Sequence, residues 1–204
     1  MIDSIIFDFG DIFINLDKHA TPRIMNSYGL NELTPEMNRI NEDYERGLVS
    51  TDNLVGYYHG LLPKVPKSKL IKAWNAIILD FPQHRLDFIE NLARKNTHRL
   101  FLLSNTNELH IEQVQEIMGL QQYQRFKSCF EQFYLSHEIH HRKPDMTIYK
   151  YVIETNRLIP EKTLFIDDTK ENIDAAAQIG IKTWHLTPGK DDVIDLLDKD
   201  FMKR

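Results

Sequence analysis

Ser4-Ile5-Ile6-Phe7-Asp8-Phe9-Gly10-Asp11 decides the fold, because an apolar run of this kind delivers a carboxylate where a buried strand ends. Three other stretches repeat the arrangement. Leu100-Phe101-Leu102-Leu103 runs into Ser104-Asn105-Thr106, a shorter apolar run precedes Arg142-Lys143-Pro144, and Thr163-Leu164-Phe165-Ile166 runs into Asp167-Asp168. In open α/β sheets, ligands sit outside the carboxyl ends of the strands, so four polar clusters at four such ends converge on one point. Together they supply two acidic sites, a hydroxyl and a lysine.

Working outward, apolar runs alternate with segments of helical period, which is the pattern of βαβ units around a parallel sheet. Five strands are predicted near residues 4–9, 98–104, 131–135, 163–167 and 181–186. Leu86, Ile89, Leu92 and Ala93 keep helical spacing, as do Ile111, Val114, Ile117 and Met118, with Gly119 placed to end the latter helix. Tyr149, Val152 and Ile153 mark another helix, Asn172–Gln178 with Gly180 beyond it one more, and Val193, Leu196 and Leu197 a closing C-terminal helix. The predicted fold is therefore α/β, a Rossmann-like parallel sheet of about five strands flanked by helices.

The first crossover is too long for that plan. Asp8 and Ser104 lie 96 positions apart, whereas a βαβ unit needs roughly 30 residues. The excess reads as a small helical cap over residues 15–84, inserted into a core of residues 1–14 and 85–204. Thr34-Pro35-Glu36 and Ser50-Thr51-Asp52 are helix starts, and Glu45-Arg46-Gly47 is a stop. Tyr44, Tyr57, Tyr58, Trp74 and Phe81 supply the cap's own packing.

Composition narrows the partners. The net charge is −5, and the 25 basic residues are spread along the chain, so no basic stripe recommends a nucleic acid. No apolar run approaches the roughly 18 residues of a membrane span, and no charged start followed by a long apolar stretch marks a leader. Cys129, the single cysteine, excludes an internal disulfide and a cysteine zinc cluster, and reads as a small core residue beside Phe130. A soluble, cytoplasmic protein is the expectation, and nothing in the sequence sets its oligomeric state.

A carboxylate at a strand end can attack phosphorus, splitting one hard displacement into two easier ones through an acyl phosphate. Asp8 and Asp168 together suit a hard divalent cation, Mg²⁺, bound through oxygen. Ser104 with nearby backbone N–H groups, and Lys143 as a point charge, suit the other phosphate oxygens. Taken one by one, each acid can also be read as a helix cap or a solvated turn.

These motifs resemble the haloacid dehalogenase superfamily of hydrolases, most of which are Mg²⁺-dependent phosphatases. Phe7-Asp8-Phe9-Gly10 looks like its first motif and Leu103-Ser104-Asn105-Thr106-Asn107 its second. Arg142-Lys143-Pro144-Asp145 with Ile148-Tyr149 is similar to the third, and Phe165-Ile166-Asp167-Asp168 with Asn172 to the fourth. The helical insertion resembles the small cap of the branch holding sugar-phosphate phosphatases and the N-terminal domain of some epoxide hydrolases. The resemblance implies that Asp8 is the nucleophile, that the Gly10 carbonyl and Asp168 complete the protein's share of the metal shell, and that Ser104 and Asn105 bind phosphate. It further implies that Lys143 orients the phosphate while Asp167 and Asn172 stand behind the ligands. The activity implied is hydrolysis of a small phosphorylated metabolite, such as a sugar phosphate, through an aspartyl-phosphate on Asp8.

One departure from the family pattern is visible. Most family phosphatases carry a second Asp two residues after the nucleophile, as acid and then base, where this chain has Gly10. A related phosphatase group resembles it in having glycine there together with Ser-Asn-Thr-Asn. Asp11 is adjacent, but one residue of offset turns a side chain the other way in extended chain. Of the histidines, His110 is the candidate proton donor, while His137, His140 and His141 lack the cysteine or regular i,i+4 partner of a zinc site. Two alternatives remain. A metal-free dehalogenase also uses an Asp nucleophile but has no use for Asp167-Asp168, and a receiver-like signalling or phosphate-binding module has its acidic pair first and no cap.

Overall fold

The computed structural model describes residues 1–202. Five parallel strands, β1 (Ser4–Phe7), β2 (Arg99–Ser104), β3 (Gln132–Leu135), β4 (Thr163–Asp167) and β5 (Lys182–His185), form one sheet in the order β3-β2-β1-β4-β5. Between β1 and β2 stand α1 (Ala20–Ser27), α2 (Pro35–Glu45), α3 (Thr51–Leu61), α4 (Lys67–Asn75) and α5 (Gln83–Lys95). Helices α6 (Glu108–Met118) and α7 (Leu120–Lys127) link β2 to β3, α8 (Ser136–Ile139) and α9 (Met146–Asn156) link β3 to β4, and α10 (Lys170–Ala177) links β4 to β5.

Strand side chains alternate between faces, and here both faces are apolar. Ile6 pairs in register with Phe101 on one side and Phe165 on the other, and all three belong to one cluster with Ile148, Tyr149 and Val152 of α9 and Ala176 of α10. Ile5, Phe7, Leu100, Leu102, Leu164 and Ile166 face the opposite way, onto Leu86 and Ile89 of α5, Val114 of α6 and Phe126 of α7. A sheet covered on both faces requires continuous apolar runs rather than alternation, which is why the sequence carries them. Phe101 is fully buried, and side chains in that position contribute about 1.5–3 kcal/mol each.

The strand order puts the topological switch between β1 and β4. From β1 the chain builds outward through β2 to β3, and from β4 it builds the other way to β5. The crevice that results lies beyond the carboxyl ends of these two central strands. Asp8 follows β1 directly, and Asp167-Asp168 end β4.

Helices α1–α4 gather around Met25, Tyr44, Leu54, Val55, Tyr58, Leu62, Leu70 and Ala73, joined by Leu109 of α6. Their starts follow local chemistry. Thr34 Oγ1 accepts the Met37 N–H at 3.2 Å ahead of Pro35, and Ser50 Oγ accepts the Asn53 N–H at 3.3 Å. Gly47 ends the turn after α2 at φ 67°, and a Cβ there would lie 2.1 Å from the His137 carbonyl oxygen, so only glycine lets this turn approach the segment after β3.

Several sequence expectations are corrected. The first strand stops at Phe7 rather than residue 9, because the chain turns at Asp11 with φ 55°. The closing segment is not an α-helix but two 3₁₀ turns, Val193–Asp198 and Asp200–Met202. Phe81 packs not with the insertion but against the sheet cluster, its ring 5.1 Å from that of Phe126. Cys129 is half-buried, against that same cluster. Lys143 does not sit directly at a strand end: after β3 the chain makes the single turn α8 before it reaches Lys143.

Candidate active site

Lys143 is the centre of the arrangement. Its side chain is 1% exposed, and its Nζ donates to Asp8 Oδ1 and to Asp167 Oδ2, each at 2.7 Å. The Phe165 ring lies beneath the ammonium at 5.4 Å. A buried ammonium is tolerable only when paired and hydrogen-bonded, and two carboxylates meet that need.

The backbone of Lys143 is fixed by Asn105. Asn105 Oδ1 accepts the Lys143 N–H and Asn105 Nδ2 donates to the Lys143 carbonyl, both at 2.8 Å. The oxygen and the nitrogen of the Asn105 side chain are thus both engaged on Lys143. Ser104 behaves differently. Its hydroxyl is buried and has only a 3.5 Å approach to the Asn105 carbonyl, too long to hold it.

Asp167 is wholly enclosed. Beyond Lys143 it accepts the Thr169 N–H at 2.8 Å and the Asn172 amide at 3.1 Å on each oxygen. Its lone pairs are committed to the protein. Asp8 and Asp168 are not so enclosed, and both line a cavity of about 320 Å³ together with Gly10, Ser104, Asn105 and Lys143. Carboxylate oxygens of Asp8, Asp167 and Asp168 lie within 4.8 Å of one another. No N–H of the described residues donates to the Gly10 carbonyl in the backbone network. An all-oxygen set of this kind fits a hard divalent cation.

Electrostatics follow from the geometry. Burial pushes the Asp8 carboxyl up to about 7, with Asp167 and Asp168 adding to the rise and Lys143 opposing it. Burial alone lowers the Lys143 ammonium, but Asp167 and Asp8 outweigh it and hold the group above its ordinary value. A second positive charge on the Asp8 side, such as a bound cation, would return this carboxyl toward its ionised form.

The structure does not bring His110 to this cavity. Its ring stacks on Trp74 at 5.7 Å, its Nδ1 accepts from Asn107 Nδ2 at 3.1 Å, and its Nε2 donates to the Trp74 carbonyl at 3.3 Å. Burial lowers it to about 4, so it is a neutral packing histidine. Nor do the three later histidines gather: His140 Nδ1 bonds the Arg46 carbonyl at 2.8 Å, and the His141 ring packs on Tyr151.

Three residues with a part in the site have no role in the sequence reading. Ser136 is fully buried and links reciprocally to Thr106, accepting its N–H and donating to its carbonyl at 2.9 Å each, which ties the end of β3 to the end of β2. Arg142 lines the cavity and is held by Glu45 of α2. Lys18, ahead of α1, lines it too, and pairs with Asp11 at 3.0 Å and with Asp168. Only Ser136, at the end of a predicted strand, carried a signal that could have marked it.

A doubly wound parallel sheet with a polar cavity at the switch point of its carboxyl edge defines an α/β protein built to bind a small ligand there. Comparison with known proteins gives the family. Over residues 5–186 the chain matches the haloacid dehalogenase-like hydrolase family, and it belongs to that family. It is 27% identical over 199 residues to D-ribitol-5-phosphate phosphatase of Bacteroides thetaiotaomicron, covering 94% of this chain and 95% of the relative. A HAD family enzyme of the same organism, solved in complex with magnesium and inorganic phosphate, is 27% identical with a TM-score of 0.77, covering 94% of this chain and 97% of the other. The structure of a predicted HAD-like hydrolase from Porphyromonas gingivalis aligns over 100% of both chains at 25% identity with a TM-score of 0.82.

Proposed function

We propose that this protein is a Mg²⁺-dependent phosphatase that hydrolyses a small sugar or polyol phosphate through an aspartyl-phosphate on Asp8. The observation that carries the reading is the convergence of Asp8, Lys143, Asp168 and the unengaged Ser104 hydroxyl on one cavity. The names of the relatives support it, one as a phosphatase of a phosphorylated polyol and one as a magnesium and phosphate complex.

Asp8, the Gly10 carbonyl and Asp168 would hold the metal, which supplies charge neutralisation for the phosphoryl oxygens. The chain's own residues do the rest. The Asp8 oxygen not bonded to Lys143 attacks phosphorus, the bond to the leaving oxygen breaks, and a water then cleaves the acyl phosphate to release inorganic phosphate and restore Asp8. Lys143 neutralises the nucleophile and the transferring group, while Ser104 Oγ and the Asn105 backbone N–H bind phosphoryl oxygens. Asp167 and Asn172 keep Lys143 and the turn after β4 in place. Helices α1–α4 act as a cap whose side chains select the leaving group. The reaction belongs in the cytoplasm, where charge retains phosphorylated metabolites. No helix among the described residues is long and apolar enough to cross a membrane.

The decisive experiment is phosphate release from a panel of sugar and polyol phosphates, with Mg²⁺ and with excess chelator, using the wild type and Asp8→Asn. Activity that survives chelation would overturn the reading in favour of metal-free chemistry. Activity surviving in Asp8→Asn above about 1% would remove the covalent step, since loss of a nucleophile costs several decades.

A further inference from the structure

Lys18 stands where the chain leaves the sheet for α1, and its Nζ lies between two carboxylates. It donates to Asp168 Oδ2, and it is 3.0 Å from Asp11 Oδ2. The two acids are differently situated. Asp168 is a side chain only 7% exposed and belongs to the trio whose oxygens converge beside Asp8. Asp11 holds a left-handed backbone at φ 55°, and its Oδ1 accepts the Leu16 N–H at 3.1 Å, which leaves Oδ2 to face Lys18.

A carboxylate cannot give full attraction to an ammonium and to a divalent cation at once, because the two positive charges then repel across one oxygen pair. We propose that Lys18 competes with the divalent cation for Asp168 and so sets how tightly the site takes metal, with Asp11 as the carboxylate that holds Lys18 once Asp168 is taken. This rests on the reading of Asp8 and Asp168 as metal ligands. Lys18 is a positioning residue in this scheme. It governs whether Asp168 faces the cation or the insertion, and the long stem, 48% exposed, lets the ammonium turn between its two partners.

The test is calorimetric titration of Mg²⁺ into the wild type, Lys18→Met, Asp11→Asn and the double variant, with circular dichroism to establish that each is folded. Lys18→Met removes the competitor and is expected to tighten Mg²⁺ binding about two- to fivefold, the range of a partly screened ion pair. Asp11→Asn leaves Lys18 no other partner and is expected to weaken binding. In the Lys18→Met background the same Asp11 change should do markedly less, which makes the two substitutions non-additive. Lys18→Gln serves as the second variant should Lys18→Met not fold. If the wild type binds Mg²⁺ but neither Lys18 variant binds more tightly, the Lys18 inference is overturned and the phosphatase reading stands. If the wild type binds no Mg²⁺, both fall together.

Discussion

Asn105 and Lys143 grip each other through two hydrogen bonds of 2.8 Å, amide oxygen to backbone N–H and amide nitrogen to backbone carbonyl. The residue after β2 thus fixes the main chain that aims the Lys143 ammonium between Asp8 and Asp167. Two motifs far apart in sequence become one rigid part. Asn105→Ala should therefore lower kcat by at least about tenfold, since a small misplacement of a charged group is enough for that. It should also cost about 1–3 kcal/mol of stability, because the Lys143 backbone groups lose their partners. Steady-state kinetics with urea unfolding check both. A variant with wild-type kcat would mean that Lys143 is held by its ion pairs alone.

Lys143→Met should do more damage. It leaves Asp8 and Asp167 buried beside each other with no cation, and breaking a buried pair from one side typically costs about 3–5 kcal/mol. Added Mg²⁺ should then raise the melting temperature of the variant more than that of the wild type, because the ion takes over part of the missing charge. Equal shifts in the two proteins would show that the metal and Lys143 do not share the same carboxylates.

The sheet was legible because its strands are buried on both faces, so hydrophobic runs, and not fine periodicity, mark them. The carboxylates were legible for a related reason: a charge that abruptly ends an apolar run has few places to go in a folded chain. Lys18 and Arg142 were not legible. Their partners, Asp168 and Glu45, come from distant segments, and no local pattern announces a contact made by the packing of α1–α4 on the core. His110 was misread for the opposite reason. Its position three residues after Asn107 puts it on α6 beneath Trp74, and the surroundings that neutralise it are tertiary. Proximity in sequence places Phe81 with the insertion, yet the chain has already returned to the sheet by that point.

The buried His110 predicts a stability profile. In the fold its value is lowered from 6.5 to about 4 by burial, so between these pH values the unfolded chain binds a proton that the native state refuses. The contribution is full above the unfolded value and is lost as pH falls from 6.5 toward 4, by about 3 kcal/mol at the lower limit. Urea unfolding of the wild type and His110→Asn at pH 7.5, 6 and 5 reads it as a difference. The wild type should lose stability faster than the variant across that window, and parallel profiles would show that His110 titrates as though exposed.

Gly10 sets the last prediction. Two residues after Asp8 there is no side chain, and Asp11 turns away to the Leu16 N–H and Lys18. His110 is occupied on both nitrogens. Of the carboxyl groups lining the cavity, Asp8 and Asp168 are the proposed ligands, which leaves Glu171 at the start of α10. With no acid poised over the leaving oxygen, esters whose leaving group tolerates negative charge should react faster. General acid catalysis is worth about 10²–10⁴ in rate, so a hexose 1-phosphate should outrun the corresponding 6-phosphate and ribitol 5-phosphate by a readily measured margin. Gly10→Asp should narrow the gap. A Cβ at residue 10 would meet Leu16 Cδ1 at 2.7 Å, the end of a flexible side chain, so the substitution is best made alongside Leu16→Ala. Comparable rates on all three esters, with the alkyl esters selectively slowed by Glu171→Gln, would show that Glu171 supplies the proton and that the absence at Gly10 is made good from α10.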